Sequence, residues 1–178
     1  IQRITVKDSS KNVSENLGAL QLMIDRYDIV AHPDPSNAPV NNGLINIKLT
    51  DVNKMDIEFD DVTTYDDVLD KINGGSYRLN VTKVPADEAV GLAASSKVSS
   101  MVVDSSAQSI SENFDALLSV GKKITGVVVD GYADANIALT HRQYQEGKSF
   151  LDKFQENYFL KLTEVPVYIA STLASNDH

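Results

Sequence analysis

Hydrophobic and polar positions change their period several times along the chain, and the changes mark out elements. Residues 97–103 are short, β-branched and bounded by polar residues, which predicts a strand. Asp104, Ser105 and Ser106 then offer helix-capping oxygens, and Ser105 with Gln108 fits a capping box. Ile110, Phe114 and Leu117 follow at i, i+4 and i+7, one face of a helix that Gly121 would end. Residues 124–129 read as a second strand, 130–135 as a turn and 136–140 as a third strand, the pattern of a hairpin. A helix with Phe150, Leu151 and Phe154 inward comes next, then a strand over 158–165. Pro166 opens a short helix at the first-turn position, where its missing N–H matters least.

The same order is legible earlier in the chain. Asp8 stands as a cap before Val13, Leu17 and Leu20; strands over 44–50 and 55–59 form the second expected hairpin; Tyr65, Val68, Leu69 and Ile72 mark a helix that Gly74 and Gly75 stop. Residue identities recur as well. Tyr77, Leu79, Thr82, Val84 and Pro85 reappear as Tyr158, Leu160, Thr163, Val165 and Pro166, about 81 residues on, and the register continues from Ala89, Leu92 and Ala93 to Ala170, Leu173 and Ala174. Upstream, Ser14, Glu15, Asn16, Ala19 and Leu20 match Ser111, Glu112, Asn113, Ala116 and Leu117 at a spacing of about 97. The two spacings differ by about 16, so the first copy carries an insertion. Its site is about 21–43, where residues 32–43 read HPDPSNAPVNNG, dense in loop formers.

The chain is therefore expected to hold two diverged copies of one α/β (α+β) unit and the opening of a third. Residues 1–84 form unit 1, 85–96 a connecting helix, 97–165 unit 2 and 166–178 the start of the next connecting helix. Each unit reads β-α-β-β-α-β. Two architectures fit: tandem ferredoxin-like split βαβ modules, which the hairpins favour, and a continuous β/α solenoid, which the repeated strand-cap-helix segments favour.

Composition narrows the function classes. The 178 residues are 42% hydrophobic and 23% charged, enough apolar material for a packed core. The net charge is -9 and the pI about 4.7, which disfavours nucleic acid and anionic membrane surfaces as partners. No apolar run approaches the ~20 residues of a membrane span, so membrane insertion is not expected. The absence of Cys removes disulfides, thiolate zinc sites and a cysteine nucleophile together.

Candidate chemistry is sparse. The run Asp51, Asp56, Glu58, Asp60, Asp61, Asp66, Asp67 and Asp70 is the densest source of the several oxygens that Ca2+ requires. Asp56, Glu58 and Asp60 nevertheless alternate with Ile57 and Phe59, as a solvated strand face does, and Asp60 or Asp61 suits a helix cap. Asp130, Asp134 and Asn136 fall in one tight loop but lack EF-hand spacing, and turn chemistry explains them. His32, His141 and His178 show no helical zinc spacing. No serine sits in a nucleophile elbow, and Gly74 and Gly75 lack the surroundings of a phosphate loop. Tyr65, Tyr77, Tyr144 and Tyr158 recur in both copies at core-facing phases, which favours packing over glycan stacking. No catalytic or cofactor-binding residue is assigned, and Asp56, Glu58, Asp60, Asp61, Asp130 and Asp134 are the weak metal candidates.

The segments V-x-D-S-S-x-x-x-I-S-E-N-F-D-A-L, K-I-T-G-V-V-V-D and Y-F-L-K-L-T-E-V-P, beginning at Val102, Lys123 and Tyr158, resemble repeats of large bacterial type I-secreted and cell-surface proteins, adhesin-like or S-layer-like. Outside 21–43 the resemblance covers nearly the whole chain. It implies an extracellular, structural or adhesive setting, with neighbouring repeats, and a surface glycan or protein, as partners, and it brings no catalytic residues. The G-G-x-G-x-D calcium motif found beside such arrays is absent. The expectation is a non-catalytic repeat segment; a glycan- or divalent-cation-binding module is the alternative, and an enzyme a third.

Overall fold

A computed structural model describes residues 4–31, 45–51, 54–72, 76–130, 136–155 and 158–169. The chain divides into two compact units, Ile1–Val81 and Thr82–His178, with the boundary inside one strand. It is a mixed α/β protein with parallel strands.

Unit 1 opens with β1 (Ile4–Asp8), then α1 (Ser10–Glu15), α2 (Leu17–Ala31) and β2 (Ile45–Leu49). β1 and β2 pair in parallel, Ile4 opposite Ile45 and Val6 opposite Ile47. A parallel pair needs a crossover, and the helices supply it. β3 (Lys54–Glu58), α3 (Phe59–Thr64), α4 (Asp66–Asp70) and β4 (Arg78–Val84) follow, and β4 neighbours β3. Ile72, beyond α4, forms a parallel bridge with Ile47.

In unit 2 the sheet order runs from the end of β4 through β5 (Val98–Ser106) to β6 (Ile124–Asp130). α5 (Ala89–Ala93) precedes β5, and α6 (Ala107–Glu112) and α7 (Phe114–Ser119) connect it to β6, again in parallel. β7 (Asn136–Thr140), α8 (His141–Leu151) and β8 (Phe159–Thr163) make a second parallel βαβ, with Ile137 opposite Leu160 and Leu139 opposite Leu162. Phe154 bridges Val127 as Ile72 bridges Ile47.

The expected element order is present, but the expected hairpins are not. β2 and β3 lie in different sheets, and so do β6 and β7. A short polar turn between two strands serves equally to reverse a strand or to carry the chain from one sheet to another, and hydrophobic alternation does not separate the two. The antiparallel pairing of a split βαβ module is thus replaced, in unit 2, by two successive βαβ crossovers.

Local chemistry explains the helix ends. Ser9 and Ser106 cap α1 and α6, each hydroxyl accepting a backbone N–H three residues on at 3.2 Å. Each lies one residue past the Asp8 cap and the Ser105 capping box expected from sequence, Ser106 being among the capping oxygens offered there. The reciprocal capping box lies instead between Thr140 and Gln143. Seven residues after each serine cap the helix breaks at an asparagine, Asn16 (φ -123, ψ 20) or Asn113 (φ -103, ψ 10). Each side-chain amide donates to the carbonyl four residues back, at 2.8 Å to Asn12 and 2.9 Å to Ser109, which competes with helical hydrogen bonding. One helix expected in each copy is therefore two. α2 runs on to Ala31, so the inserted segment begins as helix; residues 32–43 lie outside the described residues. The connecting helix expected over 85–96 is α5 alone, five residues long.

Val13, Leu17, Ile47, Met55, Ile57, Val68, Leu69, Ile72 and Leu79 are buried in unit 1; Met101, Val103, Ile110, Phe114, Leu117, Val127, Ile137, Leu139 and Phe150 in unit 2. In unit 2 the Phe114 and Phe150 rings meet edge to face at 5.7 Å, and Phe150 meets Phe154 at 6.0 Å.

Candidate functional site

The acidic candidates fall on one side of β3 and on helix starts. β3 buries Met55 and Ile57 and exposes Lys54, Asp56 and Glu58, the alternation of a one-sided strand. The Asn80 amide donates to Asp56 Oδ1 at 2.7 Å. Asp60 and Asp61 occupy the first turn of α3, and Asp66 and Asp67 that of α4, where carboxylates complement the helix dipole. Among the described residues, no three His, Asp or Glu side chains come together as a metal site would need. Asp130 is exposed at the end of β6, and Asp134 lies outside the described residues.

Asp51 is engaged elsewhere. Its carboxylate accepts the Ser10 N–H at 3.0 and 3.1 Å and the Ser10 hydroxyl at 2.9 Å, tying the turn after β2 to the start of α1. The solvated face of β3 was anticipated in this run; the cap expected of Asp60 or Asp61 is not formed, because α3 starts at Phe59 after Glu58 without a side-chain cap and both aspartates lie inside its first turn. The role of Asp51 depends on a partner 41 residues away, which local pattern does not show.

His32, His178, Gly74 and Gly75 lie outside the described residues. His141 begins α8 with its Nδ1 buried and without a hydrogen-bond partner. The tyrosines pack. Tyr77 is buried, Tyr65 sits at the α3–α4 junction with its hydroxyl against Gly18, and Tyr144 lies 5.4 Å from Lys148 Nζ. Tyr158 is half-buried, 4.7 Å from the Phe154 ring. Burial, and then the Asp152 carboxylate and Tyr144, push its phenol above the usual tyrosine range.

A cleft of about 310 Å³ opens in unit 2 beside Leu118, Lys122, Glu146, Ser149 and Lys153. Two of its charged groups already have partners. Lys153 Nζ donates to the carbonyls of Gly121 (2.6 Å) and Ile124 (2.7 Å). Glu146 accepts from Arg142 at 2.6 Å, and Arg142 also donates to Asp115 at 2.9 Å. Asp115, then Glu146, hold the exposed guanidinium above its ordinary range. The cleft brings together lysines and a helix end, with no nucleophile–base pair among these contacts.

No known protein family matches the chain, and no similar protein was found among curated sequences or solved structures.

Proposed function

We propose that this chain is a non-catalytic structural or adhesive repeat segment of a larger secreted or cell-surface protein, each unit being built from β/α coils of the solenoid type rather than from ferredoxin-like modules. The observation that carries the reading is the recurrence of one construction: a parallel strand pair, Ile47 or Val127 on its second strand, bridged to Ile72 or Phe154. The backbone bonds repeat too. Ile47 N–H donates to Lys71 at 2.8 Å and Val127 N–H to Lys153 at 3.0 Å. Units that each close short βαβ crossovers suit stepwise addition, which is how repeat arrays are stabilised.

The acidic net charge fits a soluble surface element. The test is the complete coding sequence around this chain. Further units of the same pattern are expected, and a reading frame with none would overturn the proposal. Addition of millimolar Ca2+ to the purified chain should leave its melting temperature unmoved; a rise would favour the cation-binding alternative.

A further inference from the structure

The lysine-lined cleft of unit 2 is set for a ligand. Its volume, about 310 Å³, lies at the lower end of the ~300–1,000 Å³ typical of small-molecule sites. Leu118 and Phe150 supply its apolar part, and Lys122, Glu146, Ser149 and Lys153 its polar groups. All six belong to unit 2, on α7, on α8 and on the turns that follow them.

The polar groups favour an anion. Among the described residues the Lys122 ammonium and the Ser149 hydroxyl, both exposed, take part in no hydrogen bond or ion pair. Lys153 is already fixed in place, because its Nζ donates to the Gly121 and Ile124 carbonyls at 2.6 and 2.7 Å. An ammonium carries three N–H groups, so one is left to donate, and a group held in advance has little freedom to lose on binding. Two ammonium groups against the one carboxylate of Glu146 give this lining a positive balance, in a chain whose net charge is -9.

Unit 1 lacks the same set. Lys71 stands where Lys153 does, its carbonyl accepting the Ile47 N–H as that of Lys153 accepts the Val127 N–H. Four residues earlier unit 1 has Asp67 where unit 2 has Ser149, which puts a like charge where an anion would sit.

Glu146 decides which kind of anion. Its Oε2 accepts from Arg142 at 2.6 Å, and Oε1 is left to accept a hydroxyl. A multiply charged phosphate would be repelled by this carboxylate, and a ligand ammonium would compete with Arg142 for it. A single carboxylate on a polyhydroxylated ring meets every group: the carboxylate takes Lys122 and the remaining Lys153 N–H, ring hydroxyls take Ser149 and Glu146 Oε1, and the C–H face lies on Leu118. We propose that this cleft binds a hexuronate, a sugar carrying one carboxylate. The sugar as carrier of the charge rests on the adhesive reading above; the preference for one negative charge rests on the cleft alone.

Galacturonate titrated into the isotope-labelled chain should move the amide resonances of Lys122, Ser149 and Lys153 saturably in the millimolar range, with an affinity that falls as salt is raised. Lys122→Gln and Ser149→Asp, both at exposed positions, should each weaken binding by about tenfold, through the loss of a charge-assisted contact or the gain of a like charge. The melting temperature of either variant should match that of the wild type. Galactose should leave the same resonances unmoved, and acetate and sulfate should bind far more weakly than galacturonate. Equal binding of galactose overturns the proposal by removing the charge, and equal binding of acetate or sulfate by removing the sugar. Galacturonate binding that neither substitution weakens overturns it as well, and so does the absence of any saturable shift. Each of these outcomes leaves the repeat reading standing, because the surrounding coding sequence decides that separately.

Discussion

Lys83 and Glu164 adopt the same left-handed backbone conformation, φ 55 and φ 54, although they lie 81 residues apart and share no side-chain chemistry. They are the only non-glycine residues with positive φ among the described residues. A β-strand that must turn sharply before a proline is held this way in both copies, so the fold reproduces a strained bend that the residue identities alone do not announce.

That strain sets a prediction. Left-handed backbone costs an ordinary L-residue roughly 1 kcal/mol, and glycine is free of most of it. Lys83→Gly or Glu164→Gly should therefore raise stability by about 0.5–1 kcal/mol, whereas Glu164→Val should lower it by about 1–2 kcal/mol. Urea midpoints at unchanged slope would check both.

Gly147 lies inside α8, where alanine would ordinarily add about 1 kcal/mol of helix propensity. A Cβ there would stand 2.6 Å from two atoms of the Phe114 ring, which is completely buried and held against Phe150. Gly147→Ala should destabilise by about 1–3 kcal/mol despite the propensity gain. Gly126→Ala meets only the exposed, flexible Gln155 side chain and should be far milder. Comparing the two thermal melts separates backbone freedom from packing.

Removing the Asp51 carboxylate leaves the Ser10 N–H and hydroxyl without that acceptor at the start of α1. Asp51→Ala should lower stability by about 1–2 kcal/mol, in the range of lost helix caps. Amide exchange in α1 should quicken more than exchange in α8.

Tyr158 carries a pH dependence at the alkaline end. Its folded pKa is raised, chiefly by burial and then by Asp152, so the protonated phenol is favoured in the fold. The contribution is fully present below the unfolded value of about 10 and is lost as pH rises through the folded value. Wild-type stability should fall relative to Tyr158→Phe as pH rises from about 10, as followed by denaturant midpoints at successive pH values.

The element order was legible because the apolar face positions Val13, Leu17, Ile110 and Phe114 stand at helical spacing and are buried. β7 matches its expected bounds, and β2, β3 and β6 lie within a residue or so of theirs. Strand partnership was not legible. Nothing local distinguishes a turn that folds β7 back on β6 from one that sends it to another sheet. The helix breaks at Asn16 and Asn113 were also hidden, since asparagine inside an apolar periodicity reads as a solvent-facing residue until its amide is seen on the carbonyl four residues back. At the acidic run the solvated-face alternation of β3 was readable from Met55 and Ile57, whereas the engagement of Asp51 by Ser10 was not.

Each described parallel register joins strands separated by a single helical crossover: β1 with β2, β5 with β6, β7 with β8. A nascent chain can therefore complete every such pair shortly after its second strand leaves the ribosome, without waiting for distant sequence. Assembly order within each such pair then follows synthesis order.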